Sequence, residues 1–380
     1  MDSLSTEVTY VLLIFTLFVV PHFFHRYKIP AAIITFLLGV LATVTGIFQL
    51  DTTTSLLATI GISALFLFAG MEVEFDIVKK HTKILAQHLF FWGALLALVT
   101  WGIHHLFDLA IRPSIICSLA LLTPSTGFII ESLEGYRLNN DQNFMVKLLA
   151  IGTEIIALLV MFIALQSESA EMLSLSILAM IGIVAAMPFL FLLFARLVLP
   201  HAPNADFAFY LMLAVIAGFL TKKIGAYYLI GAFIVGIAAR RFESLFPSRD
   251  TEITLQSLRL FSTFFVPFYF FKAGMSLELT SFTWMSLLLG IAFFVVMMPL
   301  RVGLIMMRSS NFFKIPRQEM MPIALSLLPT LVFGLVLVDI LNKRFNLNIE
   351  IINALMIYTI LGSIVPRFFI KSTEALKKIF

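Results

Sequence analysis

Glu154 is the single acid near the middle of an apolar run from about Phe144 to Leu165. A carboxylate at such depth is costly, and residues of this kind mark ion or proton paths. Burial disfavours the charged form, so a proton and a cation compete for the same oxygens. Thr153 precedes it and offers a hydroxyl oxygen to a cation. A blander account also stands: a neutral glutamic acid hydrogen-bonded in a helix contact.

Two other apolar runs carry matching interruptions. One reads Leu121-Leu122-Thr123-Pro124-Ser125-Thr126, the other Ser326-Leu327-Leu328-Pro329-Thr330. In each, proline removes a backbone donor and unseats an upstream carbonyl, and nearby hydroxyls can satisfy the freed groups. Two helices broken in this way and crossed would turn half-helix ends toward each other, with partial charges for an ion. Ordinary proline kinks are the alternative.

Arg301, in Met297-Met298-Pro299-Leu300-Arg301, lies inside an apolar run as well. Either it snorkels to the interface, or it faces inward and pairs with Glu154 or the helix ends. Its proton is fixed at any accessible pH, so its role would be that of a counter-charge and not of a carrier. Glu72, Glu74, Asp339 and Lys272 sit near run boundaries and read as solvated or snorkelling groups. His88 and Arg259 receive no role, and the lone Cys117 reads as packing.

The elements that must hold these residues are membrane helices. The 380 residues are 60% hydrophobic and 13% charged, too apolar for a soluble chain of this length to cover its core. Apolar runs long enough to cross a bilayer recur from end to end. They are too long and continuous for a membrane barrel. Thirteen spans are expected, beginning near Val8, Pro30, Thr54, Thr82, Pro113, Phe144, Met172, Phe207, Ala226, Ile253, Phe282, Gln318 and Ile351. The eighth and ninth, divided only by Lys222-Lys223 and Gly225, form either a hairpin or a re-entrant element. The broken fifth and twelfth spans are an odd number apart, and so enter from opposite faces, as an inverted repeat requires.

Charge sets the orientation. With the N-terminus outside, the inner loops carry about eighteen Lys and Arg, among them Arg26, Lys28, Arg137, Arg249, Arg308, Lys314 and Lys378, against six outside. The C-terminus is therefore expected in the cytoplasm. No nucleic-acid motif, cleavable signal, cofactor motif or multi-cysteine metal site is present, and no paired catalytic aspartates or serine–histidine pair suggests an enzyme. The chain reads as one membrane domain over residues 1–380, with no soluble regulatory domain.

Several stretches in this order resemble the monovalent cation:proton antiporter superfamily, and within it the branch of glutathione-gated potassium efflux transporters and related bacterial sodium/proton exchangers. They are Ala69-Gly70-Met71-Glu72-Val73-Glu74, the glycine-rich run Gly225 to Gly236, and Phe265-Val266-Pro267 through Lys272-Ala273-Gly274-Met275, together with the two broken spans. The resemblance implies an all-α polytopic fold of about thirteen transmembrane helices with two broken crossing helices. It also implies a homodimer in a bacterial inner membrane. It assigns ion binding to Glu154, where the family usually has aspartate, assistance to Thr153, and the basic counter-charge to Arg301. The Gln-Gly-Ser/Gly-Glu run of the efflux branch is absent, so gating is not carried over.

The expected function is exchange of a monovalent cation, Na+ or K+, for H+ by alternating access. One titrating carboxyl and a fixed guanidinium make one-for-one electroneutral exchange the simplest stoichiometry. The expected partners are thus a monovalent cation, H+, the lipid bilayer and a second copy of the chain. A cation channel or gated leak on the same scaffold, and a non-transporting membrane sensor, are the alternatives.

Overall fold

The computed structural model describes residues 6–25, 29–136, 138–202, 205–245, 251–277, 279–307 and 317–377, and no strand occurs among them. Arg26, Lys28, Arg137, Arg249, Arg308, Lys314 and Lys378, which enter the orientation argument, lie outside the described residues. In chain order the helices are α1 (Thr6–His25), α2 (Ala31–Thr45), α3 (Thr52–Met71), α4 (Phe75–Lys80), α5 (Thr82–Leu106), α6 (Ile111–Leu122), α7 (Thr126–Ser132) and α8 (Asn140–Gln166). They continue with α9 (Ala170–Leu197), α10 (Asp206–Lys223), α11 (Tyr228–Leu245), α12 (Thr251–Met275), α13 (Trp284–Met306), α14 (Arg317–Ser326), α15 (Leu331–Phe345) and α16 (Ile349–Lys377).

A helix lies at every expected span, with the fifth divided into α6 and α7 and the twelfth into α14 and α15. Nine segments among the described residues are long and apolar enough to cross a bilayer. The remainder, α2, α10, α11 and α12, are shorter or carry charges that lower their hydropathy. Local signals set the helix starts. Asp51 accepts the Thr54 amide at 2.8 Å and opens α3, and reciprocal side-chain caps open α8 at Asn139/Gln142 and α13 at Thr283/Ser286. The eighth and ninth spans are separate helices, joined by a turn in which Gly225 takes φ 80°, a conformation that favours glycine.

The chain forms two compact units. The first comprises residues 1–72, 183–222 and 228–278. In it α3 packs along α11 and α12, and α2 along α12. Small residues permit this contact: a Cβ at Gly236 would stand 2.2 Å from the Leu67 carbonyl oxygen, and one at Gly70 would stand 2.4 Å from that of Phe233. Hydrocarbon chains are as apolar as the helices, so close backbone approach supplies much of the association.

The second unit comprises residues 73–182, 223–227 and 279–380. Here α6 touches α5, α8 and α15, while α16 packs on α13 and α15. The two interrupted spans are its most enclosed parts, 94% buried in each case, against 17% for α1. A buried apolar cluster that includes Leu85, Ile129, Met145, Leu149 and Ile323 lies within this unit. Every residue that the sequence marks for chemistry belongs to it.

Candidate ion-binding site

Helix α6 stops at Leu122 because Pro124 cannot extend the ladder, and α14 stops at Ser326 ahead of Pro329. The two breaks meet: the Ser125 amide donates to the Pro329 carbonyl at 2.9 Å. They are therefore a single crossing and not two independent kinks. Thr123, Pro124, Ser125, Thr126, Ser326, Pro329 and Thr330 are all buried there.

A buried carbonyl freed by a helix break needs a donor, and those of Leu121, Leu122, Leu327 and Leu328 have one. Arg301 of α13 is 6% exposed and turned inward. Its Nη1 donates to Leu328 O at 2.8 Å and Leu121 O at 3.3 Å, and its Nη2 donates to Leu327 O at 2.7 Å. The Tyr358 hydroxyl accepts from Nη1 at 3.0 Å and donates to Leu121 O at 2.5 Å. Trp92 Nε1 donates to Leu122 O at 3.4 Å. One guanidinium thus closes the C-terminal ends of two half-helices, where the dipole favours a cation. Of the two sequence accounts, snorkelling is excluded, and the inward partner is the pair of helix ends. No ion pair joins Arg301 to Glu154.

Glu154 lies near the midpoint of the 27-residue α8 and is 2% exposed. Its Oε2 accepts the Thr126 amide at 3.2 Å, the first residue of α7. The carboxylate therefore sits at the positive end of a half-helix, while the guanidinium serves the negative ends. Thr153, 1% exposed, donates its hydroxyl to Leu149 O at 2.7 Å and lies 3.0 Å from His88 Nε2. The Thr123 and Thr330 hydroxyl oxygens are buried and hydrogen-bond to no described protein group, which leaves them available as ligands. The Ser326 hydroxyl donates to Pro322 O of its own helix at 2.8 Å.

A cavity with room of about 20 Å³ for the centre of a water molecule adjoins this crossing, lined by His88, Trp92, Pro124, Thr153, Arg301 and Leu327 among others. That volume suffices for one water. The chemistry available is that of a buried acid, several hydroxyls and a fixed positive charge: reversible binding of a proton or a small cation.

A family model described as sodium/hydrogen exchanger, transmembrane, matches residues 12–373. The chain belongs to the sodium/hydrogen exchanger family. The fold of this family member is similar to that of the sodium proton antiporter MjNhaP1 from Methanocaldococcus jannaschii in two solved structures. In the structure at pH 8 the identity is 14%, with 97% of this chain and 94% of that chain covered at a TM-score of 0.68. In the three-dimensional electron-microscopy map the identity is 15%, with 98% and 96% covered at a TM-score of 0.67. At such identity the likeness establishes the fold. No curated protein sequence matches the chain. Family and fold are those of a membrane transporter and not of an enzyme.

Two residues of this candidate site carry no assignment from sequence. His88 appears in sequence as an isolated histidine in an apolar run, yet it contacts Thr153. Tyr358 is one aromatic among many, yet its hydroxyl joins Arg301 to α6. An unaccompanied imidazole in a span is a usable signal, because its buried N–H must find an acceptor. No such signal marks Tyr358.

Proposed function

We infer that this chain exchanges a monovalent cation for H+ by alternating access, with Glu154 binding the two in turn. The observation that carries this reading is the position of Glu154: buried, central in its helix, and fixed by the first amide of a broken helix. Thr153 and the buried hydroxyls and carbonyls of the crossing supply further oxygens to a dehydrated cation, whose preference follows from cavity size and ligand number. Arg301 holds the half-helix ends as a permanent counter-charge.

The exchange is electroneutral. Arginine does not give up its proton, so a single carboxyl trades one H+ for one cation. Sodium is the first candidate cargo, as the family's description suggests, and potassium the second. The N-terminus lies outside and the C-terminus in the cytoplasm of a bacterial inner membrane, where the exchanger serves pH and cation balance. A homodimer follows from the family resemblance, and α1, with Val11, Phe15 and Phe23 exposed, offers an apolar face to lipid or to a second copy.

The test is a proteoliposome assay with an internal pH dye, challenged with Na+, K+ and Li+ separately. Cation-dependent proton movement is expected in the wild type and absent in Glu154→Gln and Glu154→Ala. Wild-type rates in either variant end the assignment. A steady-state rate that responds to membrane voltage rules out electroneutrality, and current without a matched pH change indicates a channel.

A further inference from the structure

We propose that His88 is a positioning residue that fixes Thr153 in the ion site and thereby sets its cation preference; the proposal rests on the reading of Glu154 and Thr153 as cation ligands. A threonine hydroxyl has one proton to give and two lone pairs to receive with. The Thr153 oxygen has two protein neighbours, Leu149 O at 2.7 Å and His88 Nε2 at 3.0 Å. A carbonyl only accepts, so the hydroxyl proton goes to Leu149. The His88 ring then donates Nε2–H into one lone pair of Oγ1. A single lone pair remains for a cation.

The two bonds hold the same oxygen from different elements, Leu149 on α8 itself and His88 on α5. His88 is 5% exposed and forms part of the cavity wall with Thr153 and Arg301. A buried imidazole N–H without an acceptor is costly, so the ring is held to Thr153 as firmly as Thr153 is held to the ring. An oxygen pinned in this way neither swings toward an ion nor retreats from it. Rigid ligands at fixed distance favour one ion size, whereas ligands that relax admit several. His88 acts through Thr153 and touches no ion itself, and the site it stiffens discriminates Na+ from K+ more sharply than Thr153 alone.

The experiment measures KM and kcat for Na+ and K+ in proteoliposomes of the full chain. The proteins are the wild type, His88→Phe, His88→Gln, Thr153→Val and the His88→Phe/Thr153→Val double variant. Phenylalanine fills the ring's place without a donor, and glutamine restores an N–H. His88→Phe is expected to raise the Na+ KM about tenfold, the worth of one buried hydrogen bond, with kcat within about twofold. The ratio of K+ to Na+ KM narrows with it. His88→Gln recovers most of the loss. In the Thr153→Val background the phenylalanine adds nothing further, because the bond it removes is already gone.

A Na+ KM in His88→Phe within about twofold of wild type overturns the proposal. So does an equal rise of KM in the Thr153→Val background, which would assign His88 to packing alone. Should His88→Phe not fold, His88→Ala carries the same expectations, and Na+-dependent thermal stabilisation of the purified protein reports binding without transport. If Glu154→Gln exchanges at the wild-type rate, the ion-site reading itself falls. If Glu154→Gln is inactive while the His88 variants match wild type, only the present proposal falls.

Discussion

The backbone amide of Ser125 donates to the carbonyl of Pro329 across 204 positions of sequence, at 2.9 Å. That bond makes two proline interruptions into one structural unit. Around it the electrostatics divide by sign: the carboxylate of Glu154 meets an amide that opens α7, and the guanidinium of Arg301 meets carbonyls that close α6 and α14.

Glu154→Asp tests the reach of the carboxylate. Loss of one methylene withdraws the oxygens by about 1.5 Å, too far to keep the 3.2 Å bond to the Thr126 amide. Exchange is expected to persist with the cation KM raised about tenfold. Glu154→Gln keeps an acceptor for the same amide and should fold normally while exchanging nothing. Dye-reported proton flux and melting temperature together separate the two outcomes.

Arg301→Leu removes the donors for Leu121, Leu327 and Leu328. Leu121 O keeps the Tyr358 hydroxyl, whereas the orphaned Leu327 and Leu328 carbonyls cost ~1–3 kcal/mol each, so the variant should melt several degrees lower and lose exchange. Arg301→Lys supplies three donors from one compact head without the planar fork, and is expected to fall between. A melting temperature unchanged in Arg301→Leu would contradict the hydrogen bonds described here.

Gly236→Ala places a methyl group 2.2 Å from the Leu67 carbonyl oxygen. Backbone cannot give way as a side chain does, so α3 and α11 must part at a cost of ~1–3 kcal/mol. Gly93→Ala meets nothing within 4 Å and should be neutral or slightly stabilising. Thermal denaturation of the two variants side by side checks the contrast.

Asp51 provides a pH dependence outside the membrane spans. Slight burial pushes its carboxyl up, but hydrogen bonds from Tyr10 and Thr54 outweigh it and hold the group below the ordinary carboxylate range. A lowered folded-state value means that its contribution is present above the unfolded value and lost as pH falls through the folded one. Asp51→Asn should therefore melt below wild type near neutral pH, with the gap closing as pH falls below the ordinary carboxylate range. A constant gap across that range would count against the cap.

Much of the site was legible because proline and buried charge leave marks that need no tertiary knowledge. Pro124 and Pro329 forbid a continuous ladder wherever they stand in an apolar run, and the observed breaks fall there. Glu154 is conspicuous by cost alone. What sequence left open were matters of partner. Arg301 had two accounts, and only the positions of Leu121, Leu327 and Leu328 decide between them. His88 and Tyr358 find their partners 65 and 237 residues away, and no local pattern announces such a contact. The short α4, of six residues, has no long apolar run of its own to mark it in the sequence.

A single side chain from α13 grips the ends of α6 and α14 and the hydroxyl of α16. Sliding α13 past α6 and α14 would strand a charge in hydrocarbon, and sliding α16 would leave the buried Tyr358 hydroxyl without its partners. On the exchanger reading, whatever motion turns Glu154 from one face of the bilayer to the other must carry all four together, as freight moves with its carriage.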